Sequence, residues 1–384
     1  MTPPVLDTQQ LNRATLARQG LLEPLADGNT AAAVRRLGSL QAQHPDWPPF
    51  ALRTRLHPDH HGADLADARR QRVVVRASLM RMTVHVIAAD DFWPMSTLTI
   101  GYRHDQFRAM YKMDPHDSPL GRRLTKAQEA VLAAMREAPR AIAEIDAILR
   151  AELGPRVEIP PHRSLWRWFS GAVPLVQVPF DGEGYGRARY LPAAEWLGPP
   201  PPAGDDPDRA ATHVAERYLA AFGPASVDDY AAYVGRGKRL ARLRRGIESL
   251  GDRLIRFRDE AGRALLDLAD APRPPADTPA PPRLLARWDS LLLAYGTRHR
   301  TRVLPEAHQS TVITRNADVL PTFLVDGMVA GTWLPRRDAD GSPRVELRPF
   351  GRLRAADRAA LEAESERLLP VLRDGAFSRV AGTD

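Results

Sequence analysis

The chain has 384 residues, 43% of them hydrophobic, with a formal net charge of +7; that length points to about two to four domains, each large enough for a core. It contains no cysteine, which excludes disulfides, thiolate zinc sites, iron–sulfur clusters and cysteine nucleophiles together. No apolar run approaches the ~20 residues of a membrane span. The opening Met1-Thr-Pro-Pro-Val-Leu-Asp7 has neither a basic nor an apolar signal region, so the expected location is the cytoplasm. A metal could use only His, Asp and Glu, and there is no H-E-x-x-H; neither a metal nor a cofactor is expected. Adjacent His60 and His61 stand in a polar stretch and read as a solvated loop. The basic side is nearly all arginine, the lysines being Lys112, Lys126 and Lys238. Such a balance suits nucleic acid and equally fits a GC-rich genome.

The spacing predicts helices over 9–19 and 31–41. Residues 79–86 alternate, with Met80, Met82, Val84 and Val86 on one face of an expected strand and Arg81, Thr83 and His85 on the other. A clearer pattern follows. Helical spacing over 126–136, again at Ile142, Ile145, Ile148 and Leu149, and in a short helix over 161–169 leads to strands at 175–178 and 187–191 around Asp181-Gly-Glu-Gly184. Three helices and a hairpin describe a winged helix. The pattern returns after the Pro-rich linker 198–208. A helix over 213–222 stops at Gly223-Pro224, Ser226-x-x-Asp229 offers a capping signal, and Leu240, Leu243, Ile247 and Leu250 mark a third helix before strands at 254–258 and 264–268. A second Pro-rich spacer, 271–282, reads as stiff and extended. Beyond it, strands are expected at 311–314, 322–325 and 345–348, as a small antiparallel barrel, and 355–372 as an amphipathic helix. The expected fold is therefore α+β: winged-helix regions over 1–118, 119–198 and 209–270, then a β-barrel with a C-terminal helix over 283–384.

The segment with most chemical content is Leu40-Gln-Ala-Gln43-His-Pro-Asp46-Trp-Pro-Pro49. On a helix Gln41 and Gln43 would diverge by ~200°. At a helix end or in extended chain, two amides can face one side and hold a water or a sugar oxygen. Read from the residues alone, polar helix-end positions without a role are the better explanation of the pair, since such amide pairs are common.

The chain resembles the AlkZ-type family of winged-helix DNA glycosylases, which act on interstrand crosslinks and bulky N7-alkylpurines. The resemblance is carried by Leu40-Gln-Ala-Gln43, Ser78-Leu-Met-Arg-Met-Thr-Val-His85, Phe222-Gly-Pro-Ala225, Arg283-Leu-Leu-Ala-Arg-Trp-Asp289 with Arg298-His-Arg300 after it, and Leu324-Val-Asp-Gly-Met-Val-Ala-Gly-Thr-Trp333, in that order. It implies three winged helices and a barrel around a DNA-sized cleft, with a catalytic Gln-x-Gln carried onto Gln41 and Gln43. A sister branch has Gln-x-Asp, so Gln at the second position points to the bulky-adduct branch. Alkylation at guanine N7 makes the base a good leaving group. Two neutral amides then need only orient a water at an oxocarbenium-like sugar.

Asp46, Arg81, Thr83 and His85 are candidates to line the same site, against the alternative of an exposed strand face. For DNA contact the dense clusters are Arg298, His299, Arg300 and Arg302, and the arginine-rich stretch from Arg236 that includes Lys238 and Arg239; a solvated helix face is the competing explanation. Trp166 and Trp168 read mostly as core. The expected partner is double-stranded DNA carrying alkylated purines, met by a monomer, with no membrane. Two other functions remain to be weighed. A winged-helix transcription regulator would leave Gln41 and Gln43 without work. A metal-dependent nuclease needs clustered carboxylates, and the pairs Asp90-Asp91, Asp205-Asp206 and Asp228-Asp229 are adjacent residues that diverge.

Overall fold

The computed structural model describes residues 3–26, 29–57, 64–111, 119–154, 165–181, 183–184, 186–201, 205–235, 240–316 and 318–374, with the side chains of 103–111, 119–120 and 373–374 excepted. His60, His61, Lys112, Lys238 and Arg239 lie outside them.

The first part runs β1 (Val5–Leu6), α1 (Thr8–Arg18), α2 (Thr30–Arg36), β2 (Leu40–Gln41), α3 (Trp47–Arg55), α4 (Leu65–Arg70), β3 (Val74–Ser78), β4 (Val84–Ala88) and α5 (Phe92–Tyr111). Asp7 begins α1 with a reciprocal capping box to Gln10, and Asn29 caps α2 through the Ala32 N–H. The second helix ends earlier than its spacing predicts. Gly38 takes φ +76° beside the Ala221 methyl, a left-handed turn that glycine adopts without penalty, and the chain leaves it as strand. Gln41 therefore sits in a strand, not at a helix end.

The second part holds α6 (Pro119–Glu137), β5 (Arg140–Ala141), α7 (Ile142–Leu153), α8 (Leu165–Ala172), β6 (Leu175–Val178), β7 (Arg189–Pro192) and α9 (Ala193–Leu197). The third holds α10 (Pro207–Phe222), α11 (Val227–Val234), α12 (Leu240–Glu248), β8 (Leu254–Asp259) and β9 (Ala264–Leu268). Ser226 and Asp229 form the capping box of α11. Then come β10 (Arg283–Leu285), α13 (Ser290–Leu293), α14 (Gln309–Val312), β11 (Thr322–Val325), β12 (Met328–Arg337), β13 (Pro343–Pro349) and α15 (Ala355–Asp374). The architecture is α+β.

The sheets tie these parts together. β2-β4-β3-β6-β7-β5 form one six-stranded sheet, and β1 adds in parallel to β8 of the β8–β9 hairpin. One face of the six-stranded sheet, with Val75, Ala77, Ile87, Val176 and Val178, packs into a core shared with α5, α10, α11 and α12. The opposite face, with Leu40, Val74 and Val86, packs on α3 and on Leu284, Trp333 and Leu368 of the C-terminal part. The strand carrying Gln41 is thereby held from both sides by large apolar clusters.

Two expectations are corrected. The C-terminal strands form an open antiparallel sheet, β10-β11-β12-β13, and no closed barrel is found among the described residues. The apolar face that closure would have covered is covered by α15, whose Leu361, Leu368 and Leu372 are buried with Phe50 and Trp333. Residues 309–312 are a helical turn, so the strand expected over 311–314 is reduced to a single bridge from Ile313 to Val319.

Three of the segments that carried the resemblance prove to be packing devices. Arg55 and Asp289 form a buried pair at 2.7 Å. Trp333 donates its indole N–H to the Leu285 carbonyl at 2.9 Å and packs its ring on Trp47 and Phe50. At Gly223 a Cβ would stand 2.4 Å from both Arg18 and Asp267, whose buried pair fills that space with two bonds of 2.8 Å.

Candidate active site

Residues 79–86 are not one strand. β3 ends at Ser78, a short 3-10 turn takes Met80–Met82, and β4 starts at Val84. Thr83 N–H bonds the Met80 carbonyl at 3.0 Å, closing the turn, and Arg81 and Met82 both take left-handed backbone, φ 54° and 60°. Non-glycine residues pay of order 1–2 kcal/mol each for that conformation. The turn replaces the expected strand and brings the Arg81 guanidinium within reach of Gln41, His85 and the Tyr233 carbonyl together.

In β2, Gln41 stands opposite His85 of β4, so the two side chains share a face. The Arg81 guanidinium closes over them. It donates to Gln41 Oε1 at 3.0 Å and to the Tyr233 carbonyl of α11 at 2.7 Å, and lies 3.4 Å from His85 Nε2. His85 is wholly buried and its Nδ1 is 2.9 Å from the Thr83 carbonyl. A carbonyl can only accept, so Nδ1 carries the proton and Nε2 is the acceptor turned to Arg81. Burial draws the Arg81 guanidinium below its ordinary range; the nearby Tyr233 opposes this, and the positive charge of Arg300 adds to it.

Gln41 is 8% exposed and makes no other side-chain hydrogen bond among the described residues. With Oε1 on Arg81, its amide NH2 is the end left for a ligand. Gln43 is exposed; its Oε1 takes the Val84 N–H over a long 3.4 Å. Ala42 N–H bonds the Val84 carbonyl at 2.7 Å, and the Ala42 carbonyl accepts from Arg76 at 2.9 Å, which fixes the backbone between the two glutamines.

The other expected residues are distributed differently. Thr83 spends its hydroxyl on the Met80 carbonyl at 3.1 Å and serves the turn. Asp46 reaches His44, with Nδ1 and Oδ2 3.5 Å apart. Of the expected DNA-contacting cluster, Arg298 is exposed. His299 bonds Asp229, Arg300 donates to the Leu292 carbonyl at 2.7 Å, and Arg302, only 2% exposed, donates to the Pro224 carbonyl at 2.7 Å over the Tyr295 ring. The structure thus directs three of those four side chains into the protein, because the 3-10 turn of His299–Arg302 packs on Pro224 and Tyr295. Sequence reading gave no place to Arg76 or to the Tyr233 carbonyl; a backbone acceptor leaves no mark on a sequence, and Arg76 was one arginine among many.

The chain belongs to the family described as DNA glycosylase AlkZ-like, whose model matches residues 34–371. An interstrand DNA cross-link repair glycosylase from Streptomyces sahachiroi is 31% identical over 130 residues, 33% of this chain. The matched segment spans 35% of that relative's length. The solved structure of the S. sahachiroi DNA glycosylase AlkZ superposes with a TM-score of 0.73, covering 96% of this chain and 97% of the other at 21% identity, and so shares the fold. Among the described residues no group of His, Asp or Glu is arranged to hold a metal ion, and no helix is long and apolar enough to cross a membrane.

Proposed function

We propose that this protein is a monofunctional DNA glycosylase that hydrolyses the N-glycosidic bond of bulky N7-alkylated purines, interstrand crosslinks included, in DNA repair or self-resistance. The observation that carries the reading is the fixed orientation of Gln41. Arg81 holds its oxygen, so its NH2 donates, while the weakly engaged Gln43 Oε1 is the better acceptor. A water between them would be held by Gln41 and polarised by Gln43, aimed at C1′ as the cationic base departs. The helix-and-hairpin groups over α6–β7 and α10–β9 read as winged helices that dock a duplex, with Arg298 exposed for phosphate contact. A regulator without catalysis has no need of an amide whose direction is fixed by an arginine tied to α11.

The test is base release. Gln41→Ala and Gln43→Ala should each slow excision of an N7-alkylguanine about tenfold or more with DNA affinity nearly intact, as loss of one transition-state hydrogen bond predicts. Parental rates in the double variant would remove the assignment.

A further inference from the structure

The turn that places Arg81 also projects its neighbour. Met82 is 42% exposed although large and apolar, and it takes left-handed backbone at φ 60°. Glycine would adopt that backbone without strain, and an apolar side chain left in water forgoes the gain of burial. Neither backbone conformation nor packing therefore accounts for a methionine at this position. The turn is nonetheless rigid. Met82 N–H bonds the Leu79 carbonyl at 3.1 Å, and Leu79 N–H bonds the Thr83 carbonyl at 3.0 Å. The Thr83 N–H and hydroxyl both go to the Met80 carbonyl, at 3.0 and 3.1 Å. Met80 is wholly buried below, and Arg81 ties the turn to β2 and α11. The fold thus holds an apolar tip fixed in solvent. That tip adjoins the amide pair. Gln41 stands opposite His85 and Ala42 N–H bonds the Val84 carbonyl, so Gln43 runs on toward Thr83, the residue after Met82. Across residues 39–44 and 79–85, the exposed side chains are those of Gln43 and Met82.

We infer that Met82 enters the DNA duplex beside the damaged nucleotide and fills the space in the base stack that this nucleotide leaves on turning toward Gln41. The inference rests on the glycosylase reading and extends it from the bond that breaks to the way the base is reached. Gln41 is 8% exposed, too deep for a sugar still held in an intact stack, so the nucleotide has to come out to it. Unstacking costs free energy, and the gap recloses unless an apolar group occupies it. Methionine is unbranched and polarizable and packs well on ring edges; it is among the side chains that wedge between base steps. A wedge also has to withstand the push of the stack, and the hydrogen bonds of the turn with the Arg81 tether supply that resistance. Strained backbone persists where the surroundings over-determine it and function uses it. Because the same turn sets Arg81 on Gln41, insertion of the wedge and alignment of the amide belong to one rigid unit.

The test uses the full chain and two duplexes carrying N7-methylguanine, opposite cytosine in one and opposite a tetrahydrofuran abasic analogue in the other. Each has 2-aminopurine as the base next to the lesion. The unpaired lesion is already loosely held and needs little help to leave the stack. Met82→Ala meets the same left-handed backbone and removes only an exposed tip, so its melting temperature should match the parent's. Single-turnover release should slow about tenfold on the cytosine-paired duplex and less than about twofold on the unpaired one. The 2-aminopurine fluorescence that rises when the parent binds should stay low. Met82→Gln, as long but polar, should behave as Met82→Ala, whereas Met82→Leu should keep the rate and the signal within about threefold of the parent. Equal slowing on both duplexes, a parental rate on the cytosine-paired one, or a parental fluorescence rise in Met82→Ala would overturn the wedge, while Gln41→Ala still reports on the glycosylase reading. Release of base from neither duplex by the parent would overturn both.

Discussion

Arg81 offers the sharpest handle on how the site works, because it bonds Gln41 directly and also ties the β3–β4 turn to α11. Arg81→Met keeps the length of the side chain and leaves the left-handed backbone as it is, so the change is confined to the guanidinium. Two donor bonds are lost, to Gln41 Oε1 at 3.0 Å and to the Tyr233 carbonyl at 2.7 Å. Bonds from a charged donor are each worth about 1.5–3 kcal/mol. The Tyr233 bond should appear as stability, since it ties the β3–β4 turn to α11. The Gln41 bond should appear as rate: an amide free to rotate spends most of its time misaimed, and a tenfold fall in the aligned fraction is about 1.4 kcal/mol of activation free energy. Single-turnover release of N7-alkylguanine, read as abasic sites, should therefore slow about tenfold. The double variant Gln41→Ala/Arg81→Met should be no slower than Gln41→Ala alone by more than about twofold, because Arg81 acts through that amide. If the two losses multiply, Arg81 contributes by some other route; if Arg81→Met runs at the parental rate, Gln41 is positioned by something else.

Two further outcomes follow from side chains already placed. Arg298→Ala should lower the slope of log affinity against log salt by about one, as expected for one phosphate contact, and Arg300→Ala should leave the slope unchanged while lowering the melting temperature, because its guanidinium serves the Leu292 and Tyr295 carbonyls; salt titrations of duplex binding distinguish the two. Arg18→Met should destabilise the protein by about 3–5 kcal/mol in urea, the usual cost of stranding a buried carboxylate, here Asp267, which is 0% exposed; a loss below about 1 kcal/mol would show that Arg273, also bonded to Asp267 at 2.6 Å, compensates it.

Regular elements were legible wherever spacing alone decided them. The 3.6-residue repeats of α6, α7, α10 and α12, and the hairpins β6–β7 and β8–β9, stand where apolar periodicity and turn residues put them. The amide pair was legible as a motif and its setting was not. The alternation over 79–86 suits a strand, yet a left-handed turn at Arg81 and Met82 breaks it, and nothing local announces such a turn without glycine. It persists because Arg81 meets acceptors from β2 and α11, contacts separated by 40 and 152 residues. The barrel was misread for a related reason. Strand patterns report that one face is buried and do not say by what; α15 and α3 supply the cover. The cluster at 298–302 shows the limit of charge counting, since a row of cations reads as surface until its carbonyl partners are known.

The nature of the nucleophile is the remaining question, and the lysines frame it. A glycosylase that also nicks DNA needs an amine to form a Schiff base with the opened sugar. Lys126 is exposed on α6. Near the start of the chain, Val5 and Leu6 pair with β8 and the Pro4 carbonyl accepts the Arg258 N–H at 2.9 Å, which anchors Pro4–Leu6 on a different sheet from Gln41. Lys238 deserves the direct test: it comes three positions after Gly235, whose Cβ position would lie 3.4 Å from the Arg81 backbone nitrogen. If water between Gln41 and Gln43 is the nucleophile, as proposed, borohydride added during turnover should trap no protein–DNA adduct, and Lys238→Ala should excise at the parental rate. The strand should remain intact until alkali cleaves the abasic site. A stable adduct that disappears in Lys238→Ala would make that amine the nucleophile and reduce the two glutamines to binding groups.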